Sequence, residues 1–196
     1  MAALAAAAAA CSPGPPEETG DYTARISRAR EAKDQFLRTD PDSPVKAARR
    51  DELLPLVYYP IDPDYNVAAS LVPGTTTGST MQMQTSTGSQ VDMRRVGTLQ
   101  FTLKGQQLSL TAFNEVGSPD LTHLFVPFMD LTSRTETYEG GRFLDLDRTA
   151  TGLYALDFNR AYNPNCYFDA SWICPIPPPE NRLDVAIEAG EKVRRK

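Results

Sequence analysis

The residue types best suited to chemistry are concentrated in one stretch of the chain, residues 157–183. Its first part supplies a carboxylate, two amides, a guanidinium and a phenol, and a predicted strand just before it adds an arginine and an aspartate. Such groups can orient an anionic or sugar-like ligand through charge-assisted hydrogen bonds. The candidate ligand-binding residues are Arg142, Asp145, Asp157, Asn159, Arg160, Tyr162 and Asn163.

A structural interpretation of the same residues competes with ligand binding. Arg142 or Arg160 would pair with Asp157 or Asp145, and the asparagines would satisfy backbone groups of an irregular loop. On the predicted strand 153–159, period-two alternation places the polar residues opposite the apolar ones. The polar face meets solvent if the apolar face fills the core, and lines a cavity if the interior is partly polar. We favour the structural interpretation, because buried polar networks more often specify a fold than bind a ligand.

Two cysteines, Cys166 and Cys174, lie within the same stretch. In an oxidising compartment we expect a disulfide between them, worth about 2–3 kcal/mol for so short a loop. The alternatives are two buried free thiols in a cytosolic protein and, more weakly, a zinc site. The spacing is not that of a zinc knuckle and His123 is the sole histidine, so no metal site is predicted. The proline run 175–179 is interpreted as a stiff strap across the domain, or else as an extended ligand for another module.

The first twenty residues have two interpretations. The alanines before Cys11 are typical of the end of a lipoprotein signal peptide, with an acylatable cysteine and a polar tether after it. The segment has no positive n-region and is short, so a disordered alanine tail with a stray cysteine is the alternative. We expect a cell-envelope location if Cys11 is acylated and a cytoplasmic one otherwise.

Composition excludes several classes of function. The net charge of -5, with basic and acidic residues interleaved, argues against nucleic-acid binding. No apolar run reaches the roughly 20 residues that span a bilayer, so a membrane contact would come only through a lipid anchor. We expect a monomer that binds a small polar ligand or an envelope protein.

Enzyme templates match poorly. The chain has no Gly-x-Ser-x-Gly elbow, no phosphate-cradling glycine loop and no His-Glu-x-x-His motif. A Ser/His or Cys/His mechanism would have to use His123, for which no partners are evident. We predict a binding module without a cofactor. The competing hypotheses are an enzyme that uses Arg142, Asp145 and Asp157 on a polar substrate, and a purely structural envelope protein.

Hydrophobic periodicity predicts the elements that position these groups. Asp21 or Thr23 can cap a helix to about Leu37, and Ser43-Pro44 starts a second helix that ends before Pro55. From residue 56 the period changes to two, and seven to nine short strands follow, including a hairpin that turns at Gly105-Gln106. Asn181 can cap a last helix that Gly190 ends.

The fold predicted from these elements is mainly β. It is an antiparallel meander forming a barrel or barrel-like sandwich, with N-terminal helices and a short C-terminal helix. Residues 1–20 would be a signal remnant and tether. Residues 21–196 would form one β-rich domain, helical over 21–55, β over 56–160, with the strap and last helix over 161–196.

Several motifs resemble one bacterial and archaeal family, the domain of unknown function DUF1684. They extend over residues 33–191, and the most specific is the last block, DFNRAYNPNC followed by CPIPPPENRL. The others are KDQFL (33–37), SP (43–44), YPIDPDY (59–65), TSTG (85–88), RVG (95–97), LFVPFMD (124–130) and TYEGGRFLD (137–145). Phe143 stands where the family often has tyrosine, and Asn165 where a larger residue is common. The resemblance implies the domain boundaries and the motif but no activity, and relatives include both lipoprotein-like and cytosolic chains.

Overall fold

The computed structural model describes residues 21–118 and 122–194, and a β-sheet dominates this part of the chain. The predicted signal remnant and tether at 1–20, with Cys11, lies outside the described residues. The helices are α1 (Tyr22–Thr39), α2 (Arg50–Leu53) and α3 (Asn165–Phe168). The strands are β1 (Asn66–Val72), β2 (Thr80–Gln84), β3 (Gln90–Leu103), β4 (Gln106–Glu115), β5 (His123–Phe128), β6 (Arg142–Asp147) and β7 (Tyr154–Asp157).

The sheet is antiparallel and nearly closed into a barrel, which confirms the predicted fold class. Its strand order is β6-β5-β4-β3-β1-β7, with β2 paired beside the first half of β3. The two ends of this order meet where Phe143 of β6 exchanges backbone hydrogen bonds with Tyr162, shortly after β7. Closure of this kind removes the unpaired strand edges that would otherwise need protection.

The β3–β4 hairpin follows directly from its sequence pattern. Leu99, Phe101 and Leu103 are buried while the residues between them are more exposed. The turn consists of Lys104 and Gly105, with φ of 47° and 82°. Two successive positive φ angles suit the twist of a two-residue hairpin. The turn therefore lies one residue earlier than the predicted Gly105-Gln106.

The barrel interior is mainly apolar, and the buried guanidinium of Arg142 lies 5.2 Å from the centroid of the Phe128 ring at its edge. Phe158 packs against Phe128 and Phe101, with ring centroids 5.4 and 5.8 Å apart. Tyr154 and Leu156 of β7 belong to the same core. The apolar face of the predicted strand 153–159 therefore fills the core, and its polar residues lie on the outside.

The N-terminal helix begins where predicted and ends at Thr39, two residues after the predicted end, whereas the second helix is shorter than predicted. The Asp21 side chain accepts a hydrogen bond from the backbone N–H of Ala24 and caps α1. The predicted start at Ser43-Pro44 is not helical. The Ser43 hydroxyl donates to the Leu37 carbonyl, 2.7 Å away, and accepts from the N–H of Val45, so it folds the connection back onto the end of α1. A 3-10 turn at Ala47–Arg49 and then α2 follow.

The predicted C-terminal helix is not formed. A 3-10 turn at Pro179–Asn181 is followed by irregular chain to residue 194. Asn181 is fully buried: its amide accepts from the N–H of Thr111 at 2.7 Å and donates to the carbonyls of Thr111 and Pro127 at 2.8 and 2.7 Å. The side chain thus occupies a gap between β4 and β5, where Pro127 has no N–H to offer, and is not available to cap a helix.

Strand β7 ends at Asp157, two residues before the predicted limit. The Asp157 carboxylate accepts from the backbone N–H of Asn159 at 3.0 Å and stabilises a 3-10 turn at Phe158–Arg160. The chain consequently leaves the sheet at the polar stretch. Among the described residues no helix is long and apolar enough to cross a membrane.

Candidate functional site

Arg142 is enclosed, and its two terminal nitrogens fix the C-terminal segment. Its guanidinium forms an ion pair with Asp130 at 2.8 Å, with both side chains 1% exposed. It also donates to the carbonyl of Ile187 at 2.8 Å and to that of Ala189. The partner of Arg142 is therefore Asp130, and the contact holds the tail against the barrel. The ion pair that the structural interpretation predicted is formed by the other arginine, Arg160, with Asp157.

Asp157 and Asn159 form a buried hydrogen-bonded pair on the outer side of the barrel, under α1. The Tyr22 hydroxyl donates to Asp157 at 2.8 Å and accepts from the Asn159 amide at 2.8 Å. Burial, followed by the charge of Asp157, raises the pKa of Tyr22 above its usual range. The expected contact of these polar groups with solvent is replaced by a contact with the helix.

Asn163 lies beside Glu191 of the tail. Its backbone N–H donates to the Glu191 carboxylate at 2.8 Å, and its amide donates to the Lys192 carbonyl at 3.2 Å. Both Asn163 and Glu191 are 1% exposed. This segment thus brings a buried carboxylate close to the polar stretch.

Tyr162 and Asp145 form the accessible part of the predicted set. The Tyr162 hydroxyl donates to Asp145 at 2.7 Å, and the Asp145 side chain is exposed. Burial raises the pKa of Tyr162, and the neighbouring Asp145 carboxylate raises it further. At neutral pH this phenol is therefore a hydrogen-bond donor.

Three of the predicted residues line a cavity of about 190 Å³ between α1 and the turn after β7. We call it the α1 cavity. Asn159, Arg160 and Tyr162 contribute to it from one side. The rest of its wall comes from Ile26, Ala29, Arg30, Lys33, Tyr58, Ala161 and Glu191.

Cations outnumber carboxylates in the wall of the α1 cavity. Lys33 pairs with Glu191 at 2.5 Å, and Arg160 pairs with Asp157 at 3.3 Å. Arg30, the third cation, donates instead to the carbonyls of Tyr59 and Asn159 at 3.0 and 3.4 Å. No carboxylate of the described residues pairs with Arg30, and burial lowers its pKa.

Two polar atoms in this wall are buried without a hydrogen-bond partner among the described residues. They are the Tyr58 hydroxyl and Nε of Arg30, whose guanidinium lies 4.4 Å from the centroid of the Tyr58 ring. Buried polar groups normally have partners. Burial and the nearby Glu191 raise the pKa of Tyr58, so its hydroxyl keeps its proton and can donate. Two residues of the wall, Arg30 and Tyr58, therefore each keep one donor without a partner, and Arg30 forms no ion pair with a carboxylate of the described residues.

The two cysteines are free thiols in this structure, and the predicted disulfide is not formed. The backbone N–H of Cys166 donates to the Cys174 sulfur at 3.1 Å, so the two residues are in direct contact. Burial raises the pKa of Cys174 to about 12. Within residues 21–118 and 122–194, no group of three His, Cys, Asp or Glu side chains could hold a metal ion.

Sequence reasoning missed the half of the α1 cavity that comes from outside the motif. These residues lie outside the motif in the sequence, and no recognisable spacing links them to it. They are Arg30, Lys33, Tyr58 and Glu191. One signal was present: helical spacing places Lys33 on the same face of α1 as Ile26 and Ala29. A charged residue in such a stripe indicates that part of the interface is polar.

Comparison with known proteins places the chain in a family. None of the curated proteins matches it. A solution NMR structure of an uncharacterized protein from Haloarcula marismortui is similar, with 34% identity, a TM-score of 0.67, and an alignment that covers 87% of this chain and 93% of that one. The family model described as "Protein of unknown function (DUF1684)" matches residues 52–192. This match confirms the resemblance found in the sequence motifs, and the chain belongs to the DUF1684 family.

Proposed function

We propose that this protein binds a small anionic ligand in the α1 cavity. The observation that carries the proposal is Arg30, a partly buried guanidinium that lines the cavity and has no carboxylate partner among the described residues. A charge held away from water without a counterion is costly. An anion in the cavity would offset that cost directly.

The charge balance of the wall supports an anion over a cation. The buried Glu191 carboxylate already accepts from Lys33 and the Asn163 N–H, and the Asp157 carboxylate already accepts from Arg160 and Tyr22. Each carboxylate thus already has a cation and at least one further donor. Arg30 and Tyr58 line the cavity, and each has one donor without a hydrogen-bond partner; guanidinium and hydroxyl groups are donors suited to an oxyanion.

The size of the cavity limits the ligand to a few heavy atoms. An apolar cavity of about 150 Å³ is known to hold benzene, so about 190 Å³ suits a phosphate or a short dicarboxylate. Ile26 and Ala29 supply an apolar patch on the α1 side. A short dicarboxylate has both the charge and the carbon chain to meet this wall.

Thermal unfolding with added anions tests the proposal. Inorganic phosphate and succinate are compared with chloride at constant ionic strength, because a ligand specific for the folded state raises its stability by about 2.7 kcal/mol at 100 times the Kd. We expect phosphate or succinate to raise the melting temperature in a saturable way. Calorimetric titration then gives the stoichiometry.

Two variants and one control make the test specific. Arg30→Gln and Arg160→Gln should each reduce the ligand-induced shift, measured against the same variant without ligand. Arg28→Gln changes an exposed arginine on the same helix and should keep the full shift. Equal shifts in Arg30→Gln and the unmodified protein, or shifts no larger than those in chloride, would overturn the proposal.

A further inference from the structure

A second cavity lies on the outer side of the barrel, between β5, β6 and the loop after α3. Its volume is about 540 Å³, which lies in the range of small-molecule sites, about 300–1,000 Å³. On one side Phe125 contacts Phe143 edge to face, with centroids 4.8 Å apart, and Phe143 contacts Tyr162 in the same way at 5.9 Å. The loop contributes Trp172 and Ile173. We call this the aromatic groove.

The position of the aromatic groove follows from strand alternation. Leu124, Val126, Leu144 and Leu146 point into the core. Phe125, Phe143 and Asp145 therefore point outwards, on the opposite face of the same two strands. The groove is thus separate from the barrel interior, and it touches the α1 cavity only through Tyr162, which lines both.

The charge of the aromatic groove is opposite in sign to that of the α1 cavity. Its ionised lining residues are two acids, Asp145 and Glu115, and none of its described lining residues is a lysine, arginine or histidine. The Asp145 carboxylate accepts from the Tyr162 hydroxyl but remains exposed to solvent. A ligand that enters here meets negative charge beside aromatic rings.

The loop side of the groove carries apolar surface that solvent still reaches. Trp172 is 44% exposed and Ile173 is 63% exposed. Exposed apolar groups that line a concave surface mark binding sites more often than single scattered ones do. A ligand with an apolar body would cover both side chains.

We propose that the aromatic groove binds a small alkylated ammonium cation. The face of an aromatic ring attracts a cation, and quaternary ammonium groups are recognised in this way. Their alkyl groups also gain from leaving water, whereas a primary ammonium must lose a strong hydration shell. Asp145, placed next to the rings, supplies the countercharge. This proposal does not depend on the anion site.

The single tryptophan of the chain makes the test direct. Trp172 is the only tryptophan, so its fluorescence reports on the groove alone. The intact protein is titrated with choline and, in parallel, with dimethylbutanol, the neutral carbon isostere of choline. We expect a saturable change with choline, a much weaker one with dimethylbutanol, and a decrease of choline affinity as ionic strength rises.

Variants separate cation recognition from simple apolar contact. Asp145→Asn should weaken choline binding about tenfold, which corresponds to about 1.4 kcal/mol. Asp184→Asn, at an exposed acid that does not line the groove, should leave the affinity unchanged. Circular dichroism verifies that both variants are folded.

Three results would overturn the proposal. The first is the absence of a saturable response to millimolar choline. The second is an equal response to choline and dimethylbutanol, which would identify an apolar crevice without charge recognition. The third is unchanged affinity in Asp145→Asn. Arg30→Gln alters a residue that lines the α1 cavity and not the aromatic groove, so it should not affect choline binding. A negative result for the anion proposal is therefore distinguishable from a negative result for the choline proposal.

Discussion

Phe143 and Tyr162 exchange two backbone hydrogen bonds, of 2.9 and 3.0 Å, and join β6 to the segment after β7. This bond pair places Tyr162 between two cavities of opposite charge. On one side, Nζ of Lys33 lies 4.8 Å from the centroid of the Tyr162 ring. On the other side, the hydroxyl donates to Asp145 at 2.7 Å.

The hydrogen bond between Tyr162 and Asp145 should make a small, measurable contribution to stability. We expect a double-mutant cycle with Tyr162→Phe and Asp145→Ala to give a coupling energy of about 0.5–1 kcal/mol. The value lies below the usual range for a bond to a charged group, because Asp145 is exposed and screened by solvent. Urea unfolding of the four proteins measures it. A coupling of zero would show that the pair does not persist in solution.

Arg142 should be among the most sensitive positions for folding. We expect Arg142→Met to cost about 3–5 kcal/mol, because it leaves Asp130 buried and unpaired and frees the carbonyls of Ile187 and Ala189. Denaturant unfolding gives the change. Arg182→Met, at an exposed arginine, is the matched control and should cost less than about 0.5 kcal/mol. A similar cost at both positions would contradict the assigned role.

Gly190 should tolerate no side chain. Its φ is +79°, and a Cβ there would lie 2.6 Å from the Ala161 carbonyl oxygen and 2.7 Å from that of Phe158. We expect Gly190→Ala to lose more than about 2 kcal/mol, the sum of backbone strain and displacement of the tail. Gly88→Ala is the control: its φ is +81°, but the space around it is open. It should lose only about 1 kcal/mol, and equal losses in urea unfolding would refute the close contact.

Stability should fall in the alkaline range. Burial raises the pKa of Tyr59 to about 12 and raises those of Tyr22, Tyr58 and Tyr162 further. In the unfolded chain tyrosine ionises at about 10. Above that pH the unfolded state loses protons that the folded state keeps, so the free energy of unfolding decreases as pH rises.

The alkaline effect should begin at about pH 10 and increase through pH 12. Urea midpoints across this range measure it, and tyrosinate absorbance should appear together with unfolding. Tyr58→Phe removes one buried phenol and should flatten the pH dependence. Tyrosinate absorbance that rises fully while the protein stays folded would contradict the burial of these phenols.

The thiols should react slowly in the native protein. Because burial raises the pKa of Cys174 to about 12, little thiolate is present at neutral pH, and the thiolate is the reactive form. We expect Cys174 to be titrated rapidly by a thiol reagent only after denaturation. Protein from an oxidising compartment in which neither Cys166 nor Cys174 reacts after denaturation would carry the disulfide that the sequence predicts.

Patterns of local sequence predicted the sheet well. The alternation of Leu99, Phe101 and Leu103 survives in β3 because one face of that strand is buried and the other is not. The start of α1 follows from the cap at Asp21. Strand alternation and helix capping both depend on residues close together in sequence, so they could be predicted without knowledge of the tertiary contacts.

Predictions failed where a distant partner decided the conformation. Asn181 has a side chain that could cap a helix. It instead forms hydrogen bonds with the backbone of Thr111 and Pro127, which are more than fifty residues away in sequence. Ser43 likewise binds the end of α1. For the α1 cavity, the sequence motif indicated Asn159, Arg160 and Tyr162, whereas Arg30 and Glu191 reach the same place only through the packing of α1 and of the tail.

The attachment of α1 has a consequence for its motion. Of its 18 residues only Ile26 and Leu37 are buried, and neither belongs to the barrel core. Polar contacts join the helix to the rest of the domain: the Tyr22 hydroxyl donates to Asp157 of β7, the N–H of Leu56 donates to Asp34 at 2.8 Å, and Lys33 pairs with Glu191. Segments with few buried apolar contacts open at lower free energy than the core does. The amides of α1 should therefore exchange with deuterium well before those of β3 and β4, and each such opening would give solutes passage to Arg30.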